Sequence, residues 1–175
     1  MSKENGGFWK KMGAALGCAV LVSGLFATYA NHFHNSFHFD DAHTIENNVA
    51  IRDLRNIPQF FRDATTFSVL PSNQSYRPLV STLLAIAYRL GSGRTFWFHL
   101  SVFILFAALI FALAFVVYRL LELNVRARAN LWIALAAAGW YGVHPANADT
   151  VNYVIASSEV ISTLGVVGSF AVSLA

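Results

Sequence analysis

The sequence predicts an all-α, polytopic integral membrane protein with a large first extracytoplasmic loop that contains short amphipathic helices. Three observations predict it. Of 175 residues, 56% are hydrophobic and only 12% charged, against about half and about a quarter in an ordinary soluble domain. Several uninterrupted apolar runs approach the roughly 20 residues needed to cross a hydrocarbon core. Basic residues cluster beside two of those runs, as the positive-inside bias requires of cytoplasmic segments.

Taken in order, residues 1–11 form a cytoplasmic N-terminus carrying Lys3, Lys10 and Lys11. Residues 12–30, "MGAALGCAVLVSGLFATYA", form the first transmembrane helix. A signal peptide also has a basic head and an apolar run, but this run is long for such a core. Its "ATYA" end is only a partial cleavage signal, so the segment reads as an uncleaved helix. Residues 31–95 form the extracytoplasmic loop, and residues 96–121, "FWFHLSVFILFAALIFALAFVVYRLL", the second transmembrane helix. A connector over 122–128, with Arg126 and Arg128 and with Arg119 just before it, returns to the cytoplasm. Residues 129–143 form a short third transmembrane helix, 144–150 an extracytoplasmic "HPANADT" segment, and 151–175 a fourth transmembrane helix.

Within the loop, "NIPQFFRDATTF", Asn56–Phe67, reads as a short amphipathic helix with Pro58 in its first turn. Its Phe60, Phe61 and Phe67 are available to rest on a membrane surface. "LPSNQSYRP" is turn-rich. "PLVSTLLAIAYRL", Pro78–Leu90, is too short to cross and reads as an interfacial or re-entrant helix. This choice has a consequence for sidedness: were that run to cross, Asp41 and Asp149 would face opposite sides. The loop also carries Arg52, Arg55, Arg62, Arg77, Arg89 and Arg94, which the bias tolerates only because it weakens in loops of about 60 residues.

Composition excludes other classes. The net charge of +3 comes from scattered basic residues, with no basic stripe or RNA-binding aromatic motif, so a nucleic-acid partner is not expected. Cys18 is the one cysteine and lies in an apolar run, which excludes a disulfide framework or a cysteine-based metal site.

Four groups of residues carry chemistry. Asp40 and Asp41 are adjacent on a non-helical stretch, so their carboxylates point apart. One can meet a substrate while the other is held by a cation or a backbone donor, which suits general-base work. Phe37, Phe39 and Ile45 flank the pair and partly desolvate it, a setting in which acids are often functional; a solvated turn is the plainer alternative. His32, His34, His38 and His43 surround the same pair. Imidazole with carboxylate suits zinc or another transition ion, but the spacing matches no HxxxH or HExxH pattern. No metal is therefore assigned, with His34, His38 and His43 as the alternative site for a divalent ion. His144 and Asp149 flank the proline that ends the third span, where acids and histidines tend to mark sites; Asp149 also suits the N-terminus of the fourth helix. Glu159, inside that helix, reads as a buried polar contact. Arg77, at the start of the short apolar helix, suits a lipid-borne phosphate.

In order and spacing, "FHFDDAHTIENNVAIRDLRNIPQFF", "SYRPLVSTLLAIAYRLG" with "FWFHL", and "HPANADTVNYVIASSEVIS" resemble one family. This is the transmembrane, tetratricopeptide-repeat-containing protein O-mannosyltransferase-like enzymes, which belong to the GT-C class of integral-membrane glycosyltransferases. The resemblance covers Phe8 to Ser162. It implies inverting transfer of a sugar, mannose-like, from a polyprenyl-phosphate donor to a protein hydroxyl on the outer face. Asp41 or Asp40 would be the base, with a slight preference for Asp41, and Arg77, His144, Asp149 and Glu159 would bind substrate. Members carry "HPxxxE", here His144, Pro145 and Asp149, and an arginine where Ser157 stands. They are also far longer, so this chain resembles an N-terminal module that alone would be inactive. The implied partners are the bilayer, the lipid-linked sugar, the acceptor protein, and either a missing C-terminal part or a partner subunit. The implied location is the plasma (inner) membrane of a bacterium or the endoplasmic reticulum of a eukaryote. Two other classes compete: a non-catalytic membrane subunit acting through helix packing, and a metal-dependent membrane hydrolase using the loop histidines.

Overall fold

A computed structural model describes the backbone of residues 2–175 and the side chains from residue 12 onward; the side chains of the N-terminal lysines lie outside this range. Every regular element among the described residues is helical. The chain divides into two compact units, one of Met1–Ala30, Ala107–Pro145 and Val166–Ala175, the other of Asn31–Phe106 and Ala146–Gly165.

In the first unit, helix α1 (Ser2–Thr28) sets Gly17, Leu21, Leu25 and Tyr29 at four-residue intervals on one stripe. Leu21, Leu25 and Tyr29 are buried, and the stripe meets helix α5 (Asn130–Gly142). Small residues allow the close approach. A side chain at Gly17 would lie 2.6 Å from Leu135 Cδ1, and one at Gly142 would lie 2.7 Å from Leu25 Cδ2. The phenol of Tyr29 donates to the Gly142 carbonyl at 2.9 Å and satisfies one of the carbonyls that the end of α5 leaves unpaired. The amide of Asn130 donates to Glu122 Oε1 and to the Val125 carbonyl at 2.6 and 2.7 Å, which closes the connector that leads into α5.

The second unit is built mainly from the 31–95 loop, which folds on its own core. Helix α2 (Ile57–Phe60) and a 3-10 turn over Ala64–Phe67 stand where one amphipathic helix was predicted. Asp63 causes the break: its backbone is extended and its carboxylate accepts from the Thr65 N–H, which starts a new turn. The surface role predicted for two phenylalanines is also overturned. Phe60 and Phe67 are 1% and 2% exposed, packed with Ile51, Leu84, Phe98 and Val154, and only Phe61 faces outward.

Helix α3 (Pro78–Gly91) runs where the short apolar helix was expected. Its buried residues Val80, Leu84, Ala87 and Gly91 repeat with helical spacing and face this core. Fourteen residues reach about 21 Å, short of a hydrocarbon core of about 30 Å.

Asn48 ties the loop together. Its side-chain amide donates to the carbonyls of Thr44, Thr66 and Phe67 at 3.1, 3.0 and 3.1 Å, while its oxygen accepts from the Ala50 N–H at 3.0 Å. It is 3% exposed, so an apolar replacement strands these partners away from water. Asn48→Ala is expected to lower stability by roughly 1–3 kcal/mol, read as a fall in Tm in detergent; an unchanged Tm would rule out this role.

Helix α4 (Thr95–Asn124) is 30 residues long. Helix α6 (Ala148–Asn152) is separated from α7 (Ser157–Ser173) by an extended Tyr153 and a 3-10 turn over Val154–Ala156. The fourth predicted helix, 151–175, is therefore broken in its first turns. Two helical runs, Thr95–Asn124 and Val154–Ser173, are long and apolar enough to cross a membrane. Helix α5 has 13 residues, about 20 Å, and is too short to cross unaided.

Candidate active site in the loop unit

The aspartate pair sits on a tight turn that enters a π-helical turn over Ala42–Glu46. Asp41 folds inward. It is 0% exposed, its Oδ2 accepts from the His38 N–H at 3.1 Å, and its own N–H donates to the His38 carbonyl at 3.0 Å. Asp41 thus pins the turn that carries its neighbours. Burial pushes its carboxyl up to about 6, against the opposing pull of the His38 and Ile155 backbones.

Asp40 turns the other way, with its side chain 50% exposed. His43 Nε2 lies 3.2 Å from Asp40 Oδ1, and His43 Nδ1 lies 3.0 Å from Ser68 Oγ. The Asp40 N–H donates to the Tyr153 hydroxyl at 3.2 Å. The Asp40–His43–Ser68 chain has the composition of a hydrolytic triad but not its access. Ser68 is 1% exposed, and its hydroxyl also accepts from the Leu70 N–H at 3.0 Å. The chain orients Asp40; it does not present a nucleophile.

Of the two acids, Asp40 is open to solvent and Asp41 is sealed.

The loop histidines do not converge. His43 is held by Asp40 and Ser68, His34 and His38 face outward, and no group of three or more His, Cys, Asp or Glu among the described residues is placed to hold a metal ion. His32 is buried, its Nε2 2.8 Å from the His99 carbonyl, and burial lowers its proton affinity. His99 Nε2 lies 3.0 Å from the Asn35 carbonyl. Asn35 Nδ2 donates to Asn152 Oδ1 at 3.0 Å. The contacts Asn35–Asn152 and Asp40–Tyr153 join the start of the loop to the segment that follows the third apolar run.

A second cluster surrounds Arg77. Its guanidinium is exposed, lies 5.2 Å from the centre of the Phe67 ring, and donates to Ser158 Oγ at 3.3 Å. A surface cleft of about 640 Å³ is lined there by Tyr76, Arg77, Leu79, Ser158, Glu159 and Ser162, among others. Glu159 is exposed in this cleft, 3.4 Å from Thr150 Oγ1, which corrects its expected burial. Asp149 is exposed in the first turn of α6 and is not the capping residue, which is Asn147. His144 is exposed and belongs to the other unit. Ser157, where the resemblance expects an arginine, is 0% exposed.

Tyr153, Ser68, Asn35, Asn152 and His99 were missed from the sequence. The one available signal was polar side chains embedded in apolar runs, in "FWFHL" and "VNYV". No protein-family model matches the chain, and no curated protein or solved structure matches it either.

Proposed function

We propose that the chain is the N-terminal module of a multi-pass membrane glycosyltransferase. It takes a mannose-like sugar from a polyprenyl-phosphate donor and passes it to a protein hydroxyl on the extracytoplasmic face. The observation that carries this reading is the division between the two aspartates, one buried as a fastener and one accessible and oriented by His43. In the reaction, the acceptor oxygen attacks the anomeric carbon as the bond from that carbon to the phosphate oxygen breaks, with inversion. The hydroxyl proton passes to Asp40. The departing phosphate gains charge, which a guanidinium such as Arg77 stabilises more strongly in the transition state than in the ground state. Polyprenyl-phosphate sugar is the donor substrate, and the chemistry calls on no metal.

The two apolar helical runs support a membrane location. The contacts Asn35–Asn152 and Asp40–Tyr153 support a path in which the first loop and the segment after the third run share one side. Exposed Val166, Phe170 and Val172 on α7 suit lipid or further helices of a longer polypeptide.

Sidedness and transfer test the reading together. Single cysteines at Ser36 and Ala148, in a Cys18→Ala background, are both expected to react with a membrane-impermeant thiol reagent in intact cells. Membranes that hold the module within its full-length enzyme are expected to move labelled mannose from its polyprenyl phosphate to a serine- or threonine-containing protein. Labelling at one position only would break the shared site, and absence of transfer from any lipid-linked sugar would favour a non-catalytic subunit.

A further inference from the structure

Phe39, between His38 and Asp40, has φ of +49° and is 87% exposed. The other described non-glycine residue in the left-handed region, Ser92 with φ of +51°, ends α3 and is followed by Gly93; helices commonly terminate this way. Phe39 ends no helix. A bulky aromatic residue in this conformation costs roughly 1 kcal/mol or more, which glycine or asparagine largely avoids. Burial does not offset the cost, because the ring stands in solvent. Within the chain the ring gains contacts with the His38 and Tyr153 rings and leaves most of its apolar surface open to a partner from outside.

Its surroundings indicate what. The Phe39 ring meets the Tyr153 ring edge-on, centroids 5.9 Å apart at 84°. The Tyr153 hydroxyl accepts from the Asp40 N–H, and the half-exposed Asp40 carboxylate is the next side chain along. An exposed apolar ring thus meets a phenol, and the residue that follows it carries a carboxylate. A pyranose has the complementary form: one face of C–H bonds and a rim of hydroxyls. The C–H face lies against an aromatic ring while the hydroxyls bond to carboxylate or phenol.

We propose that Phe39 is the stacking platform for the pyranose ring of the substrate, holding it in register with Asp40. This inference rests on the glycosyltransferase reading above and adds to it a residue that binds the sugar. The buried Asp41, through the His38 N–H, fixes the turn that aims the ring. A bilayer anchor fits less well. Inserting this ring into hydrocarbon would draw the adjacent Asp40 carboxylate out of water, and an anchor needs no strained orientation.

The test uses the protein in nanodiscs with methyl α-mannopyranoside and mannose 1-phosphate as probes, followed by saturation-transfer NMR. Wild type and Phe39→Tyr are expected to bind, with transfer strongest at the sugar's C–H protons. Phe39→Asn is expected to bind about tenfold more weakly, the scale of one stacking contact, with a Tm equal to or above that of wild type. Binding by Phe39→Asn within twofold of wild type would overturn the inference and leave the glycosyltransferase reading standing, provided that transfer persists. Wild type that binds neither probe, together with no sugar transfer by the full-length enzyme, would end both proposals.

Discussion

Asp40→Asn is expected to cut sugar transfer by roughly 10²–10⁴-fold, the usual contribution of a positioned general base, while the fold survives. Asparagine keeps the shape of the side chain and an oxygen for His43 Nε2, now 3.2 Å from the carboxylate. It cannot take up the proton that the acceptor loses. Stability should hardly change, because a half-exposed Asp–His pair contributes about 0–1 kcal/mol. The readout is the initial rate of labelled-sugar transfer by the full-length enzyme at saturating donor, with Tm measured on the same preparation. His43→Gln should have a smaller effect through orientation alone, since His43 touches Asp40 and not the space an acceptor would occupy. Full activity in Asp40→Asn would remove the base assignment, and with it the main support for the catalytic reading.

Adjacent acids on an irregular stretch had to diverge, and that much could be read from "DD" alone. Which one turns inward could not be. The answer depends on Phe39 adopting a left-handed backbone and on the His38 amide finding Asp41, and neither follows from residue type. The same limit applied to the loop's aromatic residues. An amphipathic pattern over Asn56–Phe67 signals one apolar face but not its partner. Here the partner is a protein core around Leu84 and Phe98, not lipid, because the loop is long enough to bury its own apolar residues. Asp63 broke the expected helix for a local reason that was visible in hindsight: an Asp–x–Thr sequence lets the side chain cap a new turn.

By contrast, α3 and α4 were legible almost to their ends. Pro78 sets a helix start, the turn at Ser92 and Gly93 sets a stop, and an apolar run as long as that of α4 has no other regular structure open to it in a bilayer. The contacts among His32, Asn35, His99 and Asn152 were illegible because they join residues far apart in the chain. Periodicity carries no information at that range.

Asp41 should leave its mark on stability as a function of pH. Its carboxyl has an ordinary value of 3.8 and about 6 in the fold, so the folded chain binds this proton more tightly than the unfolded one. Below about pH 3.8 both forms are protonated and the group is neutral in the balance. As pH rises from there to about 6, the unfolded chain releases the proton while the folded chain retains it, and stability falls. Above about 6 the full penalty, on the order of 3 kcal/mol, is in place. Buried His32, whose proton affinity is lowered, works in the opposite sense, since its unfolded form takes up a proton first as pH drops. The informative quantity is therefore the difference between wild type and Asp41→Asn, in which the histidine contribution cancels. Thermal unfolding in detergent at pH 4, 5, 6 and 7 is expected to show wild type losing about 2 kcal/mol relative to the variant across that window. Parallel pH profiles would mean that Asp41 is solvated in the working protein. The turn presenting Asp40 and Phe39 would then lack its fastener, so the candidate site depends on this result.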